Sequence, residues 1–382
     1  MFLLHTLQFL YLLLFYTNIP FTNEIMGINN QNITITKSET TKIKDVDFSN
    51  LSFGENFTDH MFECDYIDGK WTNAQIRPYG NISLDPSAKV FHYGQAIFEG
   101  MKAYKSVDGA VWLFRPEDNL IRLNRSAVRL AIPEFPKELF FDGLETLLNI
   151  DKEWIQTTEG SSMYIRPFVI ATEPGVSASP AKQYKFMFIL SPAQSYYSGE
   201  VKVLFADKYS RSASGGVGFA KCAGNYAGQF YPTKLANDAG YQQVVWTDAS
   251  THENLEEAGT MNVFFRIGDT LITAPTSDRI LDGITRKSVI AIAEKEGLKV
   301  EIRDVSVYEI EDAAKSGTLL EMFGAGTAAV INPIVSFNFK GNDYDLPVLQ
   351  NYYSDMIKKK ITDIQTGKSE DTFGWKYAVR SI

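Results

Sequence analysis

The 382-residue chain carries a formal net charge of −9 at pH 7, with 45% hydrophobic and 22% charged residues. This composition is that of a globular protein, and the length predicts two domains, each with its own core. The acidic balance argues against a nucleic-acid-binding surface, which is normally basic. Two cysteines, and four histidines without metal-ligand spacing, argue against a disulfide scaffold, a zinc cluster and a metal enzyme.

The chain begins with a strongly apolar stretch, residues 1–25. No Lys or Arg precedes the apolar run and no small-x-small cleavage site follows it, which argues against a signal peptide. The run is short and interrupted by polar residues, which argues against a spanning helix. We expect an over-long translation with Met26 as the natural initiator, followed by a mobile or loosely docked arm over 26–60.

Alternating apolar patterns over residues 61–192 predict a small first domain of mixed helices and strands. An Asp-Gly pair at 108–109 lies between two apolar runs, which is a strong hairpin signal. In chain order the patterns predict a strand at 89–93, residues 95–104 leading into a second strand, and then the hairpin. Helices over 117–130 and 136–154 and buried strands over 163–170 and 184–190 follow.

Pro192 and Gly199 indicate a linker, and we place the interdomain segment at 193–200 with a large second domain over 201–382. The predicted fold class is therefore α+β with two domains. The second domain is predicted to contain strands at 201–206, 243–246, 299–305 and 319–323, a hairpin over 262–273, helices at 230–240, 285–297, 310–316 and 349–366, and a small-residue turn at 324–327.

The stretch GGVGFAKCAGNY at 215–226 places one lysine, Lys221, between two glycine-rich arms. Glycines allow the backbone to approach a ligand closely, and a lysine amine can attack a carbonyl of a substrate or of pyridoxal phosphate to form a Schiff base. The alternatives are an exposed lysine in a flexible loop and a phosphate-binding P-loop. The P-loop motif has Gly before the lysine and Ser or Thr after it, whereas Ala220 and Cys222 stand there.

A bound pyridoxal ring would need a carboxylate at its pyridine nitrogen and a cradle for its phosphate. Glu256 and Glu257 offer the carboxylate, but neighbours in an extended chain alternate in direction, so both cannot face one pocket. Amides at a helix start, and arginines, bind phosphate well. The candidates for the cradle are Gly283-Ile284-Thr285, Gly326-Thr327-Ala328, Arg122 and Arg211.

Six collinear stretches between about residues 71 and 375 resemble the branched-chain amino acid aminotransferases, which are fold type IV pyridoxal phosphate enzymes. Because their order and spacing are kept together, they are far more specific than any one motif. They are Tyr93 with Phe98-Glu99-Gly100-Met101-Lys102-Ala103, Leu113-Phe114-Arg115-Pro116 with Arg122, Tyr164-Ile165-Arg166-Pro167, residues 215–226, Glu257-Ala258-Gly259-Thr260-Met261-Asn262, and Gly324-Ala325-Gly326-Thr327-Ala328.

The resemblance implies a small α/β first domain, a larger barrel-like second domain and pyridoxal 5′-phosphate as the cofactor. It implies that Lys221 binds the cofactor covalently and moves the proton at the substrate α-carbon. Tyr226 would hydrogen-bond the ring O3′, and Glu257 would pair with the pyridinium nitrogen. The further cofactor-binding residues that it implies are Arg122, Thr260, Ile284, Thr285, Thr327 and Arg211, the last of them near the phosphate side.

For the substrate, the resemblance implies a pocket completed by the partner subunit of a homodimer. Aromatic walls would hold the branched side chain, backbone amides at 327–328 the α-carboxylate, and Arg166 the γ-carboxylate of glutamate or 2-oxoglutarate. The loop at 173–177 would cross to the partner's site. The implied substrate-binding residues are Tyr93 (from the partner subunit), Phe98, Tyr164, Arg166, Tyr196, Thr327 and Ala328.

The implied activity is transamination of L-leucine, L-isoleucine and L-valine with 2-oxoglutarate, in the cytoplasm, without a membrane or nucleic-acid partner. A D-amino acid aminotransferase or an aminodeoxychorismate lyase of the same fold remains an alternative, although Tyr164-x-Arg166 and Phe98-Glu99-Gly100 favour the branched-chain enzyme. A non-catalytic phosphate or nucleotide binder is a third interpretation. Cys222 departs from the family pattern, and the Cys-x-x-Cys of the mammalian thiol switch is absent after Ala328.

Overall fold

The computed structural model describes residues 33–194 and 201–381. Its strands group into two sheets, and the first is built almost entirely from residues before 194. Within the described part of the chain, no helix is both long and apolar enough to cross a membrane. The expectations for residues 1–25, for the start at Met26 and for most of the 193–200 segment fall outside the described residues.

The first sheet is antiparallel except for the short pairing of its first strand with the third. In the described residues the spatial order is β1-β3-β2-β8-β7-β5-β6-β19, and β4 pairs with β7. The strands are β1 (Thr34–Ile35), β2 (His60–Ile67), β3 (Lys70–Pro78), β4 (Ala96–Phe98), β5 (Met101–Lys105), β6 (Val111–Phe114), β7 (Ser162–Ala171), β8 (Tyr184–Ala193) and, from the far end of the chain, β19 (Lys376–Ala378).

The second sheet follows the order β14-β13-β12-β16-β17-β9-β10-β11-β15 in the described residues, with β18 on β17. β11 also pairs with β12, which closes a ring of strands and makes this half barrel-like. The strands are β9 (Val201–Phe205), β10 (Gln243–Thr247), β11 (Asn254–Ala258), β12 (Met261–Ile267), β13 (Thr270–Thr273), β14 (Lys299–Ile302), β15 (Val305–Ser306), β16 (Leu319–Gly326), β17 (Val330–Phe339) and β18 (Asn342–Asp345).

Helices cover the sheets with their apolar sides. The third helix packs so closely on β2 that a Cβ at Gly143 would lie 2.7 Å from the Phe62 ring. The helices are α1 (Lys89–Tyr93), α2 (Pro116–Arg129), α3 (Lys137–Ile150), α4 (Ala223–Ala227), α5 (Phe230–Asp238), α6 (Ile284–Lys295), α7 (Val307–Lys315) and α8 (Tyr353–Gln365), with 3-10 turns at Ile43–Asp45 and Lys152–Trp154.

Most predicted elements agree with the structure to within a few residues, but the strand predicted at 89–93 is wrong. This segment is the helix α1, which ends at Gly94 in the left-handed conformation with φ 58°. The Gly94 N–H donates to Val90 O over 3.1 Å. Glycine is the usual residue at such a helix end, and five residues are too few for periodicity to distinguish helix from strand.

Three other boundaries differ from the prediction. The small-residue segment at 324–326 continues β16 instead of forming a turn, and it packs against β12 so closely that a Cβ on Gly324 would lie 2.6 Å from Met261 Cε. β8 continues through Ala193 into the predicted linker. The strand predicted over 299–305 is interrupted between β14 and β15.

The described part of the N-terminal arm is docked on the first sheet. Thr41 Oγ1 donates to Asp59 Oδ2 over 2.6 Å, and the Ser38 N–H donates to His60 Nε2 over 2.8 Å. Asp59 and His60 are both buried. Buried polar side chains thus hold a segment whose composition alone suggested loose attachment.

Candidate active site

The topology of the second sheet places Lys221 outside its strands. β9 and β10 are parallel neighbours, so the chain must leave the sheet and return between them. This crossover carries Lys221, α4 and α5. The Lys221 N–H donates to Ser126 Oγ over 2.9 Å, and its carbonyl accepts from the Phe98 N–H over 3.0 Å. Lys221 is therefore attached to α2 and β4 of the other half of the molecule.

Cys222 has a structural explanation. It forms a β-bridge with Ile97, and its side chain is buried in the core of the first sheet. A free, buried cysteine behaves as a small apolar side chain. Cys222 therefore points away from the amine beside it in sequence and anchors the crossover.

The Lys221 amine lies between two aromatic rings. Its Nζ donates to Tyr226 Oη over 2.8 Å, and Tyr226 lies one helical turn away in α4. The Nζ is 4.9 Å from the centre of the Phe98 ring and 5.3 Å from that of Tyr226. Such rings attract a cation and restrict water access, so the amine has a defined direction.

The amine projects into a cavity of about 350 Å³, a size that suits a small-molecule ligand. Eight residues predicted for the site line this cavity. They are Phe98, Tyr164, Arg166, Lys221, Tyr226, Thr260, Thr327 and Ala328, and they are joined by Phe53, Gly100, Gln243, Met261, Gly326, Ala329 and Asn332.

Several predicted residues do not line the cavity. Glu257, Arg122, Arg211, Ile284 and Thr285 belong to the surrounding layer, as their contacts show. Tyr93 lies on α1 with 44% of its surface exposed. Tyr196 falls outside the described residues.

Glu257 is a buried carboxylate held by three donors. Arg211 Nη1 lies 2.7 Å from Oε1, and the Leu281 N–H donates to the same oxygen over 3.0 Å. Oε2 has a longer contact of 3.4 Å with Asn262 Nδ2. Burial raises the pKa of Glu257, and the Arg211 guanidinium opposes that rise.

Arg211 and Glu256 each form an ion pair near Glu257. The resemblance put Arg211 near the phosphate side, whereas its guanidinium pairs with Glu257 and also donates to Arg279 O over 3.0 Å. Glu256 faces the other side of β11 and pairs with Arg279. The predicted alternation of the two carboxylates is therefore correct.

The start of α6 and Arg122 form a second cluster. Arg122 makes a two-point contact with buried Glu99, over 2.7 and 2.8 Å, and donates through Nη1 to Asp282 O over 3.0 Å. Asp282 immediately precedes Gly283, the residue before α6. Burial acts to lower the pKa of Arg122, but the Glu99 carboxylate outweighs it and raises that pKa.

The comparisons with known proteins agree with this geometry. A model of the family described as amino-transferase class IV matches residues 96–337. Two Bacillus subtilis (strain 168) proteins are each 44% identical. Branched-chain-amino-acid transaminase 1 aligns over 87% of this chain and 95% of its own length, and branched-chain-amino-acid aminotransferase 2 over 92% and 98%. The chain belongs to the class IV aminotransferase family.

Solved structures of this aminotransferase family show the same fold. The branched-chain aminotransferase of Thermoproteus uzoniensis with norvaline has a TM-score of 0.68 at 23% identity, covering 84% of this chain and 100% of that one. The Thermobaculum terrenum enzyme in its pyridoxal phosphate form has a TM-score of 0.68 at 21% identity, covering 84% and 98%. The predicted α+β fold with a barrel-like half is confirmed, and so is the prediction of an enzyme over a non-catalytic binder.

Class IV aminotransferases use pyridoxal 5′-phosphate, and the residues of this aminotransferase fit that group. A phosphate would suit the amides of Ile284 and Thr285, because the first turn of a helix has unpaired N–H groups and a positive end. Close packing shapes this helix start, since a Cβ on Gly283 would lie 1.9 Å from Asn262 Oδ1. Glu257 would face the pyridine nitrogen, and Tyr226 and Lys221 would meet the ring's reactive side.

Lys102 and Phe53 are among the site residues of this aminotransferase that sequence reasoning missed. Lys102 is buried, and its Nζ donates to Ala328 O over 2.8 Å. Burial and the charge of Lys358 lower the pKa of Lys102 to about 8. Lys102 lies opposite the cavity residue Tyr164 in the β5–β7 register, so strand alternation could have indicated it.

Phe53 is the second missed residue, and it comes from the N-terminal arm. Its ring lies edge-on to Tyr164 with 4.8 Å between centroids, and it lines the cavity. Nothing in its neighbourhood in the sequence marks it as a pocket residue. Only the path of the arm across the sheet brings it there.

Proposed function

We propose that this aminotransferase exchanges the amino group between L-leucine, L-isoleucine or L-valine and 2-oxoglutarate, giving branched-chain 2-oxo acids and L-glutamate. The observation that carries the proposal is a single cavity in which aromatic walls meet one arginine. Arg166 Cζ lies 4.7 Å from the Phe98 ring centre, and its Nη2 donates to Tyr164 Oη over 3.0 Å. The names of the Bacillus subtilis relatives support branched-chain amino acids as the amino donors.

Arg166 explains how the cavity accepts two kinds of side chain. Its buried Nε has no hydrogen-bond partner among the described residues. A γ-carboxylate would supply acceptors for this guanidinium, since arginine binds carboxylates at two points. A branched aliphatic chain would instead contact the rings of Phe98, Tyr164 and Phe53. The Arg166 guanidinium beside these aromatic rings therefore accounts for both proposed side chains, the aliphatic one and the carboxylate.

In the proposed mechanism Lys221 is the residue that touches the reacting atoms. When bound, pyridoxal phosphate supplies a ring that withdraws electrons from the substrate α-carbon and accepts its amino group. Lys221 would hold the aldehyde form of the cofactor covalently before the amino donor binds, and its freed amine would move the proton at the α-carbon. Tyr226 directs the amine through the 2.8 Å contact. Glu257, whose carboxylate pairs with Arg211, would hold the proton at the ring nitrogen.

The turn between β16 and β17 would bind the substrate α-carboxylate. Thr327 and Ala328 line the cavity, and Thr327 Oγ1 donates to Gly100 O over 3.3 Å. The Lys102 ammonium donates to the Ala328 carbonyl and fixes that peptide beside the cavity. A carboxylate there would be bound by backbone donors close to the Lys102 ammonium.

A homodimer completes the proposal. Tyr93, which the resemblance assigns to the partner's site, does not line the cavity of its own chain. Phe91 is 62% exposed and Val176 66% exposed near it. A second copy covering this apolar surface would bring Tyr93 to its own pocket.

We further propose a cytoplasmic location and a division of the chain into two domains. Cys64 and Cys222 are free, buried thiols, which suits a reducing, cytoplasmic environment. The change of sheet between β8 and β9 supports a small domain over 61–192 and a large one over 201–382, with 193–200 between them.

Turnover measurements with one amino donor at a time test the substrates. L-leucine, L-isoleucine and L-valine should each produce L-glutamate from 2-oxoglutarate, whereas D-alanine should not react. The purified protein should show the visible absorbance of its bound cofactor. Turnover of D-alanine alone would favour a D-amino acid aminotransferase, and release of pyruvate from aminodeoxychorismate would favour the lyase.

A further inference from the structure

The loop between β7 and β8 is attached to α1 through its backbone. The Lys89 N–H donates to Glu173 O over 3.1 Å, and the Gly175 N–H donates to Ser87 O over 3.0 Å. Ser87 and Lys89 flank the start of α1. These contacts fix the first part of the loop, residues 173–175, against the helix start.

The Lys89 side chain holds the other end of the same loop. Although it is a lysine, only 2% of its surface is exposed. Its Nζ donates to Ser179 O over 3.1 Å, to Ser179 Oγ over 3.0 Å and, less closely, to Pro180 O over 3.4 Å. The Glu173 carboxylate lies 3.6 Å away and balances the charge. Burying an ammonium is unfavourable unless such partners surround it, so this geometry is well defined.

Between its two anchored ends the loop projects an apolar tip. Val176, at the tip, is 66% exposed, and its carbonyl accepts a hydrogen bond from Tyr93 Oη. Tyr93 belongs to the same short helix as Lys89. One buried lysine thus sets the position of the loop tip relative to Tyr93.

We propose that Lys89 is a positioning residue for the substrate pocket of a second copy of this chain. It clamps residues 173–180 so that Val176 and Tyr93 enter that pocket in one arrangement, beside the branched side chain of the substrate. This inference rests on the proposed function and its homodimer. Neither Lys89 nor Val176 lines the cavity of its own chain, so the proposed effect would act across the interface.

Substitution of Lys89 by methionine keeps the apolar stem and removes the donors. In Lys89→Met the KM for L-leucine should rise about tenfold while kcat changes by less than about threefold, as expected for lost substrate positioning. The visible absorbance of the bound cofactor should be unchanged. The matched control is Lys182→Met, an exposed lysine of the same connection, and its KM should equal that of the wild type.

Mixed dimers distinguish positioning across the interface from a general structural role. A dimer of Lys221→Ala and Lys89→Met subunits has its one active site facing an intact loop, and its KM should be that of the wild type. A dimer of wild-type and Lys89→Met/Lys221→Ala subunits has its active site facing the altered loop, and its KM should be raised. The reverse pattern, equal KM values in both dimers, or a monomeric wild type would overturn the proposal.

The KM of a second variant and amide hydrogen exchange in the loop also test whether Lys89 holds residues 173–180. If Lys89→Met does not fold, Ser179→Ala removes one of the ammonium's contacts, and an unchanged KM in that variant would contradict the clamp. Amide hydrogen exchange at Gly175 and Val176 should be faster in Lys89→Met than in Lys182→Met, and equal exchange would contradict it as well. Exchange does not depend on substrate, so a wild type that fails to convert L-leucine would contradict the proposed function without deciding the role of Lys89.

Discussion

On the proposed cofactor side of the cavity, Glu257 lies behind the wall with Arg211 2.7 Å from it, and Arg122 is held by Glu99 and by Asp282 O. On the proposed substrate side, Arg166 and Phe98 line the cavity directly, and the Arg166 Nε has no partner in the described residues. The carboxylates of the first region are paired with arginines of the same chain, although Arg211 Nε, like Arg166 Nε, has no partner in the described residues. The second region faces the cavity, and we propose that a second copy supplies part of its wall.

The difference follows from what each region binds. A cofactor that stays bound through every turnover suits charges that are already paired and buried, because no reorganisation is needed during the reaction. Two substrates that alternate in one pocket need hydrogen-bond donors that the γ-carboxylate of 2-oxoglutarate can pair with. The apolar side chain of L-leucine leaves these donors without a partner. Variants on each side should therefore affect different kinetic constants.

The largest effect is expected at Lys221, where the two regions meet. In Lys221→Ala, kcat should fall by about 10⁴-fold or more, because no other residue takes the place of a covalent, proton-transferring amine. The visible absorbance of the bound cofactor should change in parallel. Lys234→Ala, an exposed lysine on α5, is the control and should retain wild-type kinetics.

A substitution on the proposed cofactor side should have the second-largest effect on kcat. Glu257→Gln keeps the shape and removes the charge, so kcat for every donor should fall about 10²-fold with little change in the relative KM values. The same substitution at the neighbouring Glu256, which pairs with Arg279 on the other face of β11, should change kcat by less than about threefold. Equal losses in the two variants would contradict the assignment of Glu257.

A substitution on the proposed substrate side should change the KM values of the two substrates by different amounts. In Arg166→Met, the KM for 2-oxoglutarate should rise about 30-fold, because its γ-carboxylate loses a charged partner. The KM for L-leucine should change by less than about threefold, since its side chain carries no charge. Steady-state kinetics with each substrate varied in turn measure both values. A parallel rise in both KM values would contradict the division of the pocket.

The smallest effect is a pH dependence at Lys102. Burial lowers the pKa of this lysine to about 8, so its positive charge disappears as the pH rises through that value. The KM for 2-oxoglutarate, which does not titrate there, should rise by about fivefold between pH 7 and pH 9. Lys102→Arg should remove this dependence and keep a low KM, whereas Lys102→Met should give a raised KM at both pH values.

Local features of the chain were predictable. The spacing of Lys221 and Tyr226 places both on the same short loop and helix, and alternation along β11 separates Glu256 from Glu257. The predicted hairpins at Asp108-Gly109 and over residues 262–273 form between β5 and β6 and between β12 and β13. These features depend on neighbours in the chain, and such preferences are already present in the unfolded sequence.

Other features exist only through tertiary structure. Lys102 and Ala328 are 226 residues apart, and Arg122 and Asp282 are 160 apart. Phe53 reaches the pocket because the arm crosses the first sheet, and α1 is a helix because the loop and Gly94 favour that conformation over a strand. Their positions depend on strand register and helix packing, which combine distant segments. The sequence by itself determined the glycine-flanked Lys221, the family and most of the order of the elements. Only the folded chain decided which charges pair and which face the cavity, because a buried charge is stable only where its partner is brought to it.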